Sequence, residues 1–351
     1  MTSRHTESSR SRWVSLLAAT LWAIAAVVWL DRFTGLDVEP YRSWLVDWHV
    51  YAAGAQGFVD GDLYREPLTS AYPLSVSRFN YPPAAALWPI PFLGLPDAVG
   101  GTLWVLLNIG AAAAATVLTA RIVGARPVWF WSGAAFLAYS LVAWGMTALI
   151  GNNSPLILLL IAGFVAAHLA QRSSLSGALL GIAIATKLWP ATFLVVLARE
   201  RRWQTFAWAV GVAAAITGAA VLWLGGLGVL RPMARSLTID VEVDRQLVIG
   251  ITWLRENIDW WPEWGGYALS LLILLIPARG LTGYGLATLA GMVAIPNLWR
   301  HYWGTVIFGI VLLGRGLLDR RRAGATKPPH ARPVGVAGRF GEAERDPEFG
   351  S

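Results

Sequence analysis

An all-α polytopic membrane protein is the fold class that this 351-residue chain predicts, on three observations. Hydrophobic residues make up 56% of it, and its apolar runs are roughly 17 to 24 residues long, the length a helix needs to cross a bilayer. Twenty residues are Trp, and several of them (Trp44, Trp48, Trp253, Trp260, Trp261, Trp264, Trp299 and Trp303) lie beside apolar runs, where an amphipathic indole suits the headgroup layer. Lys and Arg outnumber Asp and Glu by 28 to 21, and the Arg residues sit in short loops and tails, the pattern that orients spans. The net charge of +7 therefore needs no nucleic-acid partner. The chain has no Cys, which excludes disulfides, zinc thiolate sites and thiol catalysis.

Taken in order, residues 1–12 form a polar cytoplasmic tail before an apolar run at 13–30. No small-residue cleavage site follows clearly, so this run reads as a signal anchor. Further spans are predicted at 98–120, 128–150, 154–171, 204–224, 264–278, 281–296 and 301–318. Residues 83–96, PAAALWPIPFLGLP, carry four prolines and predict a re-entrant or half-depth element covered by other parts of the protein. Residues 175–198 admit either one crossing or two short helices turned back around KLWP at 187–190. The positive-inside bias decides for the hairpin. With the N-terminus inside, it places Arg121, Arg126, Arg172, the arginines at 199–202, Arg279, Arg315 and those at 320–322 on the cytoplasmic side. The result is a membrane domain over 13–318 with about ten transmembrane segments plus re-entrant elements. A tail at 319–351, rich in Arg, Pro and Gly, reads as disordered and cytoplasmic, and its final EFGS reads as a cloning remnant.

The same topology sends five polar segments to the opposite face: the loop that begins at Asp47, GNN at 151–153, the KLWP apex, residues 225–263, and PNLWRHYW at 296–303. Charge bias alone does this sorting, and it predicts an extracytoplasmic active site on a multi-pass protein of the cell membrane. Several of these segments, taken in order, resemble the pattern of glycosyltransferase family 87: Asp47 and Tyr51 in DWHVY, GDLY at 61–64, FNYPP at 79–83, GNN, KLWP, and Pro296, Trp299 and His301 in PNLWRH. Two residues depart from that pattern and bear on sugar preference. Asn80 precedes YPP where a small hydroxyl residue is common, and Asn152 stands where Gln is expected. The resemblance implies a GT-C-type fold, an inverting transfer from a polyprenyl-phosphate sugar, and Asp47 as the catalytic carboxylate. It also implies mannosyl- or arabinosyltransferase activity in actinobacterial envelope synthesis, as in the extension of phosphatidylinositol mannosides and lipoarabinomannan.

The residues point to the same parts. A transferase outside the cytoplasm has no nucleotide sugar at hand, so a sugar carried on polyprenyl phosphate is its natural donor. Transfer needs a base for the acceptor hydroxyl, cations or amides for the departing phosphate, and groups that orient the sugars. Asp47, flanked by Trp48 after a short apolar stretch, is the candidate base; a helix cap or a loop ion pair is the other use of a carboxylate there. Lys187 interrupts an apolar run and is a candidate for the donor phosphate, or else a lysine snorkelling from a helix end. Arg300 and His301 beside Trp299, Tyr302 and Trp303 form a second cationic and aromatic cluster, with His301 as a phosphate donor, an alternative base or a structural residue. Tyr64 and Tyr81 are candidates for stacking on sugar or prenyl groups, and the resemblance adds Tyr51. Asn152 and Asn153 suit sugar hydroxyls or a plain turn. Asp60, Gly61 and Asp62 make a D-x-D pattern that reads better as a turn than as a metal site, and neither a metal nor a cofactor is predicted.

The function predicted is therefore transfer of mannose from polyprenyl-phosphate-mannose to a lipid-linked mannoside or lipoglycan among membrane lipids. An arabinofuranosyltransferase using polyprenyl-phosphate-arabinose is the nearer alternative, and a lipid or small-molecule transporter the farther one. A transporter would spread polar residues along a path through the bundle, whereas here they gather on one face.

Overall fold

Long apolar stretches have one way to satisfy their backbone groups without water, which is to coil into helices. The computed structural model describes residues 3–34, 45–64, 79–141, 150–238, 264–295 and 302–325, and no strand occurs among them. Twelve α-helices are described: α1 (Ser3–Thr34), α2 (Val46–Asp60), α3 (Asp97–Ile122), α4 (Val128–Leu141), α5 (Ser154–Leu169), α6 (Ser173–Thr186), α7 (Thr192–Arg199), α8 (Trp203–Trp223), α9 (Leu230–Thr238), α10 (Gly265–Leu275), α11 (Gly280–Ala294) and α12 (Trp303–Ala325). The all-α architecture is thus the one that composition predicts. Three helical stretches, Arg12–Asp31 in α1 and the whole of α3 and α8, are long and apolar enough to cross a membrane, while α4, α5, α6, α10 and α11 are shorter apolar helices.

The proline-rich segment behaves as its composition demands. Pro83, Pro89 and Pro91 withdraw backbone donors, and the chain forms two short 3₁₀ helices, Pro83–Leu87 and Ile90–Phe92, in place of an α-helix. Pro83 and the three alanines at 84–86 are buried, and this element packs on α2, α6 and α8.

KLWP is a reversal point, and α5 supplies the ruler. Near the start of α5, Ser154 Oγ lies 3.1 Å from Lys187 Nζ, just past the end of α6. Near its other end, His168 Nε2 lies 3.7 Å from Glu200 Oε2, just past the end of α7. The chain therefore runs up α6, turns through the 3₁₀ helix Trp189–Ala191, and returns along α7 over the length of the 16-residue α5, about 24 Å. Further contacts gather at the lower end. Arg199 donates to the carbonyls of Ile276 and Leu274, Arg202 to Gln171, and the Gly280 N–H to Glu200. The Arg315 guanidinium approaches Gly124.

Close helix contacts are made through small residues, as expected where apolar burial cannot discriminate protein from lipid. Gly177 and Gly181, four apart on α6, face α8 so tightly that a Cβ on either would lie 2.5–2.6 Å from the backbone oxygens of Thr205 and Ala209. Two buried clusters result. One centres on Trp48, Tyr51, Phe79 and Trp104, the other on Ile161, Phe164, Phe193 and Tyr284. Lys187 reaches aromatic rings of both, Tyr81 of the first and Tyr302 of the second.

Candidate active site

The site begins with a clamp between two distant segments. The Ile150 carbonyl accepts from Asp47 N at 2.8 Å and Trp48 N at 3.2 Å, so the turn before α5 satisfies the orphan donors that open α2. Gly151, at φ +80°, makes the approach possible: a Cβ there would stand 2.8 Å from Trp48 N. Trp104 Nε1 donates to the Gly151 carbonyl at 2.6 Å and fixes the turn from behind. Asp47 is left in the first turn of α2, where the helix dipole favours a carboxylate.

Asn152 Nδ2 donates to Asp47 Oδ2 at 2.5 Å. The Oδ1 of the same amide accepts from Ser154 N at 2.8 Å, from Ser154 Oγ at 2.5 Å and from Lys187 Nζ at 3.3 Å. Lys187 leaves the end of α6 in an extended conformation, is buried, and also donates to Ser154 Oγ at 3.1 Å and to the Tyr302 hydroxyl at 3.4 Å. Its ammonium stands 5.6 Å from the Tyr81 ring centre and 5.0 Å from that of Tyr302, within cation–π range. Among the described residues, every hydrogen-bond partner of this ammonium is neutral, which leaves it able to take an anion.

A second layer carries sugar-sized polar and aromatic surface. The Tyr51 hydroxyl donates to Asn153 Oδ1 at 2.9 Å, and the rings of Tyr51 and Tyr81 lie 4.9 Å apart. Among the described residues, Asn153 Nδ2 is buried with no hydrogen-bond partner of its own. The Tyr64 hydroxyl donates to the Tyr81 carbonyl at 2.9 Å, so Tyr64 holds the YPP segment as well as offering its ring. Burial pushes the Asp47 carboxyl above its usual range, against the opposing pull of the Asn152 hydrogen bond and the Lys187 charge. The residue remains partly exposed, so a hydroxyl can reach it.

From Ser154 an apolar cavity of about 250 Å³ runs between α3, α4, α5 and α12, past Ala112, Thr116, Tyr139 and Phe308.

The family model for glycosyltransferase family 87 matches residues 79–334. The chain belongs to glycosyltransferase family 87. Asp47 lies outside the matched stretch, so its place in this family 87 protein rests on the geometry above. Three curated relatives are similar. A polyprenol-phosphate-mannose-dependent alpha-(1-2)-phosphatidylinositol pentamannoside mannosyltransferase of Mycobacterium tuberculosis is 31% identical over 55% of this chain and 45% of its own length. The protein of the same name in Mycolicibacterium smegmatis is 27% identical over 84% and 75%. A phosphatidylinositol mannoside mannosyltransferase of that organism, likewise dependent on polyprenol-phosphate-mannose, is 30% identical over 86% and 76%. This chain thus spans less than half of the first relative and about three quarters of the other two. Among solved structures, ArnT from Cupriavidus metallidurans superposes with a TM-score of 0.49 at 19% identity, covering 90% of this chain and 62% of that one.

Of the residues singled out from sequence, Asp47, Tyr51, Tyr64, Tyr81, Asn152, Asn153 and Lys187 lie in this one neighbourhood. Trp299, Arg300 and His301 fall outside the described residues, although Tyr302, the next residue, touches Lys187. In the D-x-D pattern, Gly61 ends α2 at φ +81° and Asp60 accepts from Gln56, both turn and helix-end roles. One contributor escapes a reading of the sequence: Ser154 opens a helix beside Pro155 and looks like an ordinary start residue. Tyr302 is read from sequence as part of the aromatic cluster around His301, and the structure adds its contact with Lys187.

Proposed function

We propose that this protein transfers mannose from polyprenyl-phosphate-mannose to a lipid-linked mannoside or lipoglycan on the extracytoplasmic face of the cell membrane, inverting the anomeric centre. The observation that carries the reading is the pairing of a partly exposed carboxylate with a buried ammonium whose hydrogen-bond partners among the described residues are all neutral. As the acceptor oxygen bonds to the anomeric carbon, Asp47 takes its proton. The bond from that carbon to the phosphate oxygen breaks, and polyprenyl phosphate departs against Lys187. Tyr51, Tyr81 and Asn153 bound the space for the sugars, and Arg300, His301 and Trp299 are assigned to the same face by sequence. The apolar cavity beginning at Ser154 suits a prenyl chain whose phosphate rests on Lys187. The relatives' names support the donor and the phosphatidylinositol mannoside class of acceptor.

The test is transfer by the purified protein in lipid, offered labelled polyprenyl-phosphomannose or polyprenyl-phosphoarabinose separately, with phosphatidylinositol mannosides and short glycans as acceptors. Mannose transfer that vanishes in Asp47→Asn, with donor binding intact, is the expected outcome. Because the carboxyl is raised by burial, turnover falls as pH drops through a midpoint above the usual carboxylate range. Transfer from the arabinose donor alone reassigns the sugar, and transfer from neither returns the chain to the transporter reading.

A further inference from the structure

The proposed base and the proposed phosphate-holding cation share one buried network, yet they do not touch. No direct ion pair joins Asp47 and Lys187 among the described residues, and each hydrogen bond that links them passes through the side chain of Asn152. Opposite charges in a poorly solvated site attract far more strongly than in water, so something must hold them apart. A primary amide is suited to do this because it presents a donor on one side and an acceptor on the other.

The amide's orientation is not arbitrary. The backbone N–H of Ser154 can only donate, and it points at Asn152 Oδ1 from 2.8 Å. That contact fixes the oxygen toward Ser154 and Lys187 and turns the NH₂ group toward Asp47. Asn152 itself is fully buried, and its backbone follows the Gly151 turn clamped to α2, so the side chain has little freedom to swing away.

We infer that Asn152 is a positioning residue, an amide spacer that keeps Asp47 and Lys187 from collapsing onto each other. This rests on the transferase reading of both groups. Held apart, the carboxylate stays available to an acceptor hydroxyl and the ammonium to a phosphate. Collapsed, the pair would neutralise itself: a directly ion-paired carboxylate is a weaker base, and an ion-paired ammonium has its donors occupied.

A crosslinking experiment reads this without relying on turnover. A membrane-permeant carbodiimide condenses a carboxylate and an amine in contact into an amide, taking up the water lost and leaving as a urea. Applied to the full-length protein in lipid, it should give no Asp47–Lys187 crosslink in wild type and a crosslinked peptide, seen by mass spectrometry, in Asn152→Ala and Asn152→Ser. Kinetics with polyprenyl-phosphomannose supply the second arm. Asn152→Ala should lower kcat more than 100-fold and move the acid limb of its pH profile to lower pH, because an ion-paired Asp47 stays ionised further into acid. Asn152→Gln, which keeps the amide, should recover at least tenfold over Asn152→Ala. A merely structural defect would reduce active protein without moving the limb. A crosslink in wild type overturns the inference whatever the variants do. So does a monodisperse Asn152→Ala with no crosslink and an unmoved limb. If wild type transfers no mannose at all, the transferase reading fails, while the crosslinking arm still reports on the spacer.

Discussion

Lys187 and Tyr302 separate two contributions that a buried ammonium receives. The Tyr302 hydroxyl accepts one of its hydrogen bonds, while the ring beneath supplies cation–π attraction at 5.0 Å. Tyr302→Phe removes the first and keeps the second, so it should cost about 0.5–1.5 kcal/mol of transition-state stabilisation, roughly tenfold or less in kcat. Lys187→Ala removes the charge aimed at the leaving phosphate and should cost about 2.7–4 kcal/mol, on the order of 10²–10³ in kcat. Steady-state turnover of the two purified variants checks the ordering, and an equal loss in both would mean the ammonium does not face the phosphate. Lys187 is legible in the sequence because a charge inside an apolar run is conspicuous. Ser154 is not, since a hydroxyl at a helix start has many ordinary uses, and its contact with Lys187 depends on bringing residues 33 apart in sequence together.

The helices that carry these residues are held by two kinds of contact. At the α6–α8 interface, Gly181 admits the backbone of α8, and a Cβ there would meet Ala209 O at 2.6 Å and Val212 Cβ at 2.8 Å. Gly181→Leu should therefore destabilise the protein by about 1–3 kcal/mol or more, whereas Gly211→Leu, on α8 where a Cβ meets nothing, should be nearly neutral. Thermal unfolding in detergent compares them. At the far end, Glu200 joins three elements by accepting from the Gly280 N–H at 2.6 Å and the Tyr284 hydroxyl at 3.0 Å, beside His168 of α5. Burial pushes its carboxyl up, but the His168 contact, together with the Gly280 and Tyr284 hydrogen bonds, prevails and holds it below its ordinary value. A depressed carboxyl stabilises the fold fully above its unfolded value, and that stability is lost as pH falls through the lower folded value. The unfolding midpoint should thus drop as the solution is acidified below about pH 4.3, and Glu200→Gln should flatten that dependence. A variant with the wild-type slope would remove Glu200 from the account.

Across the whole molecule, two ends with different chemistry emerge. Asp47, Asn152, Lys187, Tyr81 and Tyr302 meet at one, and Glu200, Arg199, Arg202, Gln171 and Gly280 at the other. Much of this polarity is legible in the sequence because hydropathy and loop charge act on whole segments, and the chain reversal at KLWP follows from where the arginines must lie. The amide between base and cation is not, because one side chain's hydrogen bonds leave no periodic trace. Which end faces out is a separate matter of orientation, and the lack of Cys makes it directly testable. Gln56, exposed on α2, lies two residues from Phe58, whose carbonyl accepts from Trp223 at the end of α8 away from Arg202, and so belongs to the site end; Arg201, exposed between α7 and α8, belongs to the other. If the arginine-rich end is retained in the cytoplasm, as the positive-inside bias requires, a membrane-impermeant maleimide added to intact cells should label Gln56→Cys and spare Arg201→Cys until the membrane is opened. Labelling of Arg201→Cys in intact cells would place the site inside, where nucleotide sugars are available, and the case for a polyprenyl-phosphate donor would lose its topological support.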